Sequence, residues 1–122
     1  MHYASKAYAK AAKETLSPRE LEASLLLNAA AKLQAVRDTW RDKPAGLSEA
    51  VLYNRKLWTV FIDAVTRDDN KLPAQVRRNL TRLGVFVMGE TFSLMTKPKP
   101  DHLKSIIRIN RRIAAGLNGK AA

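Results

Sequence analysis

The sequence predicts an all-α protein: a single-domain antiparallel four-helix bundle behind an N-terminal arm that is mobile or partly helical. Three observations predict it. Apolar residues recur at spacings of three and four over four separate stretches, the signature of amphipathic helices. The links between them are short and rich in polar residues or proline, which favours antiparallel neighbours. At 122 residues the chain forms one domain and buries roughly two thirds of its unfolded surface, enough for a modest core without staples. The domain division is an arm over 1–16 and a bundle over 17–119, with helices near 18–41, 48–67, 73–95 and 101–117.

The arm, rich in alanine and lysine with Tyr3 and Tyr8, favours a helix but lacks the large aliphatics that would dock it. Lys6, Lys10 and Lys13 stand among alanines with no apolar segment between them, which argues against a secretory signal. The first helix opens at Ser17-Pro18-Arg19-Glu20: a hydroxyl to accept from an orphan N–H, a proline whose missing donor goes unused, and the acid of a capping box. Leu21, Leu25, Ala29, Leu33, Val36 and Trp40 form its apolar stripe, with Lys32, Gln34, Arg37, Asp38 and Arg41 on a solvated face. Pro44 and Gly46 follow its end.

The second and third helices form a hairpin on which the rest of the chain is organised. Ser48 is expected to open the second, whose stripe is Leu57, Trp58, Phe61, Ile62 and Val65. Asn54 and Arg55 stand among these apolar residues and, if buried, need partners within the fold or mark a recognition patch. Asp68-Asp69-Asn70 and Leu72-Pro73 make the turn, with Pro73 expected in the first turn of the next helix. Val76, Leu80, Leu83, Val87 and Met88 form the third stripe. Apolar residues go nearly all round between Leu83 and Met88, which predicts a central, buried helix. Gly84 and Gly89 lie inside it and predict close helix approach at one or both.

Lys97-Pro98-Lys99-Pro100 breaks the third helix. Asp101 is expected to cap the fourth, whose inner side is Leu103, Ile106, Ile107, Asn110, Ile113 and Leu117. Its other side carries Lys104, Arg108, Arg111 and Arg112, and Gly116 and Gly119 mark its end.

Charge is unevenly placed. The chain carries a formal net charge of +11. Residues 1–70 hold 11 basic against 9 acidic side chains, whereas residues 71–122 hold 11 against 2. The second half is therefore a basic surface that favours acidic partners, be they RNA, an anionic membrane or an acidic protein. No stretch approaches the roughly 20 apolar residues of a membrane span, and membrane binding is not expected. No zinc pattern, phosphate-binding glycine loop, dinucleotide fingerprint or nucleophile elbow is present, and His2 and His102 lack ligand spacing. Asp38 and Asp42 lie beside Arg37 and Arg41, as a solvated charge face does. The reading is a binding protein, not an enzyme, with no cofactor and no metal.

Several strings together resemble the FlaF family of flagellar biosynthesis regulators. They are Tyr53-Asn54-Arg55-Lys56-Leu57-Trp58, Asn70-Lys71-Leu72-Pro73 and Ile109-Asn110-Arg111-Arg112-Ile113-Ala114-Ala115-Gly116-Leu117, with Ser17-Pro18-Arg19-Glu20-Leu21-Glu22-Ala23 at the first helix start. The similarity runs over residues 3 to 117. The chain departs from the pattern at Gly89-Glu90, where a basic residue is expected ahead of Thr91, and in its more basic second half.

The resemblance implies a small cytoplasmic helical protein that binds flagellin as a positive factor or secretion chaperone. It implies action in balance with the regulator FlbT, a second candidate partner. Asn54, Arg55, Trp58, Asn70, Leu72, Pro73 and Arg77 are the matched positions. Of these, Trp58, Leu72 and Pro73 are expected to hold the hairpin, and Arg55 and Arg77 to meet the partner. An apolar groove for flagellin is expected between the arm and the helix carrying Trp58, or beside the helix from Leu103. The alternative is an RNA-binding regulator of flagellin messenger RNA that uses Arg78, Arg82, Lys104, Arg108, Arg111 and Arg112.

Overall fold

The computed structural model describes residues 17–41 and 44–119. Within them lie α1 (Pro18–Asp38), α2 (Leu47–Thr66), α3 (Ala74–Thr96) and α4 (Pro100–Leu117). The N-terminal arm, residues 1–16, lies outside the described residues. The most extensive packing is of α1 on α4 and of α2 on α3, and α1–α2 and α3–α4 contacts close the ring. Contacts between consecutive helices fix their directions. Gly46, just before α2, comes up against Val36 late in α1, and Tyr53 accepts a hydrogen bond from Asn28 farther along. Arg77, early in α3, reaches the Val65 carbonyl late in α2; His102, early in α4, pairs with Glu90 late in α3. Each helix thus runs opposite to its predecessor, as the short links require.

The helix starts follow local chemistry, with three differences from expectation. Ser17 accepts from the Glu20 N–H at 3.2 Å and Pro18 occupies the first turn, as the sequence indicates. By contrast, α2 is capped by Gly46 at φ 78°, and Ser48 lies inside the helix. The chain must turn sharply out of the α1 link, and a left-handed residue does that most easily when it is glycine. Pro73 is the N-cap of α3 and stands just before its first turn. Pro100 opens α4 in first position, which puts Asp101 in the first turn and leaves Lys99 at the cap. Proline suits that first position because its N–H would go unused. The carboxylate of Asp101 still meets the positive end of the helix dipole.

The core is made by Leu26 and Leu33 of α1, Val51 and Trp58 of α2, Val87 and Leu94 of α3, and Leu103, Ile106 and Ile107 of α4. On α1 the deepest line runs through Ala23, Leu26, Ala30 and Leu33, whereas Leu21 and Leu25 are half-buried at its edge. Ala29, Leu33 and Val36 of the expected stripe are buried; Leu21 and Leu25 sit at its edge because Ala23, Leu26 and Ala30 take the inward positions, and alanine lets helices approach closely. The largest difference lies in α3. Its buried line is Gly84, Val87, Thr91 and Leu94, while Val85 and Phe86 are exposed and Val76 is 40% exposed. An all-round apolar stretch predicts a central helix, but α3 has α2 and α4 as its main neighbours, and among the described residues nothing covers its outer face.

Candidate partner-binding site

The matched residues fall into three groups. Asn54 and Trp58 are inside, at 1% and 2% exposure. The Trp58 indole Nε1 donates to Asn110 Oδ1 at 2.9 Å, and Asn110 Nδ2 donates to Asn54 Oδ1 at 2.6 Å. This chain of side-chain bonds ties α2 to α4 through the core. It supplies the partners within the fold that a buried Asn54 needs, and it fixes Trp58 against α4. The Asn54 Nδ2 is buried with no protein acceptor among the described residues.

The second group builds the α2–α3 turn. Asn70 Nδ2 donates to the Ala64 carbonyl and Asn70 Oδ1 accepts from the Leu72 N–H, at 3.0 and 2.9 Å. Arg77 donates from Nε to the Val65 carbonyl and from Nη2 to the Arg67 carbonyl, at 2.9 and 3.0 Å. The guanidinium bonds the Val65 carbonyl and shares the Arg67 carbonyl with the Asn70 N–H, which helps satisfy the end of α2 and complements its negative dipole end. Arg77 therefore has work inside the fold. Pro73 is exposed and Leu72 half-buried. Arg55 makes up the third group: it is exposed on α2, not half-buried, and has no ion-pair partner among the described residues.

At the end of the bundle where α1 starts and α4 finishes lies an apolar cleft of about 400 Å³. Trp58, Ile62, Leu72, Val76, Leu80 and Ile113 are among the side chains that line it, and Arg19, Glu22 and Arg112 are its charged lining residues. Helices α2 and α3 come close farther along, at Gly84. A Cβ on Gly84 would stand 2.5 Å from Ile62 Cγ1, so the glycine lets the two helices meet. Gly89, five residues on, has nothing within 4 Å of where its Cβ would be. Glycine there costs about 1 kcal/mol relative to alanine with no packing among the described residues to explain it.

The six residues of the basic face do not share one surface. Arg78 and Arg82, exposed on α3, border a groove of about 510 Å³ together with Val65 and Thr66 of α2. On α4, His102 points to α3 through Glu90; at 100° per residue Lys104, Arg108 and Arg111 follow a line well away from that side. Arg112 belongs to the apolar cleft. Among the described residues no cluster of His, Asp and Glu is arranged to hold a metal ion. No helix among them is long and apolar enough to cross a membrane.

No curated protein and no solved structure matches the chain. Residues 4–117, nearly the whole length, match the family described as flagellar protein FlaF. That match covers the α1 start, the Asn54–Trp58 segment, the Asn70–Pro73 turn and all of α4, so the chain belongs to the FlaF family and is a flagellar protein.

Proposed function

We propose that this protein is a cytoplasmic regulator of flagellar biosynthesis that acts as a secretion chaperone for flagellin. It binds one of flagellin's helix-forming terminal segments before assembly and promotes flagellin synthesis, export and filament growth, in balance with FlbT. The observation that carries this reading is the apolar cleft formed by Trp58, Leu72, Val76, Leu80 and Ile113. An amphipathic segment that pairs only in the finished filament needs its apolar face covered beforehand, and a cleft between helices does so by accepting its anchoring side chains. Arg55, exposed and without an ion-pair partner among the described residues, is the candidate polar contact among the matched residues.

Co-purification with flagellin and with an FlbT-like protein tests the proposal. The parent chain is expected to retain flagellin. Val76→Glu, which puts a charge on the exposed rim of the cleft, is expected to lose it with an unchanged helical circular dichroism spectrum. Retention of flagellin by Val76→Glu would remove the cleft from the account.

The second reading is an RNA-binding regulator of flagellin messenger RNA. It is favoured by the exposed line of Lys104, Arg108 and Arg111 on α4, with Arg78 and Arg82 as a separate patch. Phosphate-dominated binding predicts steep weakening with salt and loss of the complex on nuclease treatment.

A further inference from the structure

Arg78, Arg82, Val85, Gly89, Phe92 and Thr96 succeed one another along α3 at spacings of four, three, four, three and four, and all six are exposed. That alternation is the one by which a helix meets a second helix along a seam. Val85 is 67% and Phe92 69% exposed, well beyond what scattered surface apolar residues require, and they lie one turn to either side of Gly89. Gly89 weakens the middle of α3, yet a Cβ there would touch nothing among the described residues. A bare backbone between two exposed apolar side chains is the arrangement that lets another helix come close.

We infer that the outer face of α3 is a second docking surface, separate from the apolar cleft, for an amphipathic α-helix of another chain that carries carboxylates beside its apolar stripe. Charge selects that occupant. Arg78 and Arg82 occupy one end of the stripe, and the sole acid of α3, Glu90, is engaged with His102 of α4. A partner helix therefore finds two guanidiniums and no carboxylate along this line. A second copy of the chain offers no acid on the same stripe and brings its own formal charge of +11, so it fits poorly. An acidic helix supplies both the apolar knobs and the missing negative charge. The inference does not depend on flagellin binding in the cleft.

Two synthetic helical peptides of about three heptads, with the same leucine stripe and flanked by glutamate in one and lysine in the other, provide the test. The full-length protein is titrated with each, and binding is followed by anisotropy and by amide chemical-shift mapping. The acidic peptide is expected to bind saturably, with shifts centred on residues 78–96, and about tenfold or more tighter than the basic one. Gly89→Ala is expected to weaken that binding about tenfold while melting no lower than the parent, because alanine favours the helix but blocks the approach. Arg82→Glu is expected to reverse the preference between the peptides. Equal binding of the two peptides, no binding of the acidic one, shifts centred on the cleft around Leu72 and Ile113, or undiminished binding by Gly89→Ala would each overturn the inference. So would sedimentation showing that the chain pairs with itself and that Phe92→Glu abolishes the pairing.

Discussion

Asn110 receives the Trp58 N–H on its side-chain oxygen and gives its own amide hydrogen to Asn54, all within the core. Truncating it strands a buried indole donor and a buried carbonyl acceptor together, and each stranded group costs about 1–3 kcal/mol. Asn110→Ala is therefore expected to lose about 3 kcal/mol in denaturant unfolding, a large share of a small domain's stability. A loss below about 1 kcal/mol would mean that the chain of bonds contributes little. Arg55→Ala is expected to stay within about 0.5 kcal/mol of the parent, as exposed positions do, while weakening flagellin binding. Unchanged binding by the folded variant would end the role assigned to Arg55. The sequence marks Asn54 as odd among apolar neighbours, but not its partner, which is 56 residues away on another helix. Periodicity says which side of a helix faces inward; it does not say which two helices face each other.

The contrast between elements is clearest in α3, where two glycines that look alike in sequence behave oppositely. Alanine at Gly84 forces Ile62 to move, since its Cγ1 and Cδ1 lie 2.5 and 2.6 Å from the new Cβ. Overpacking of that kind costs about 1–3 kcal/mol, more than the gain in helix propensity. Alanine at Gly89 meets nothing among the described residues and is expected to stabilise by about 0.5–1 kcal/mol. Thermal or denaturant unfolding of the two variants tests the signs; equal effects would remove the close approach at Gly84 from the packing of α2 on α3. Helix existence and order are legible from the three-and-four spacing, and the α1 cap from Ser17-Pro18. The caps of α2, α3 and α4 are not, because Gly46, Pro73 and Lys99 work through backbone shape and leave no side-chain signature. The outer face of α3 is also misread from sequence. A full apolar circle between Leu83 and Met88 means burial only when neighbours surround the helix, and this ring of four leaves one side of each open.

At the scale of the molecule, α2 and α3 meet closely at Gly84, and a cleft lies at the pole where α1 begins. Trp58, Leu72, Val76, Leu80 and Ile113 line the cleft left there. The sequence points to the neighbourhood of Trp58 through the matched strings, but the cleft needs all four helices and no single stripe reveals it. Basic residues scatter over α3, α4 and the cleft, so long-range attraction acts on any acidic partner without concentrating on one face. The central claim is that flagellin is held by apolar contact in the cleft, and affinity for monomeric flagellin measured across a salt series tests it most directly. The dissociation constant is expected to change by less than about threefold between about 50 and 200 mM salt, since few counterions are released. A rise of about a thousandfold over that range, as contact with many phosphates produces, or the absence of any flagellin complex, would overturn it.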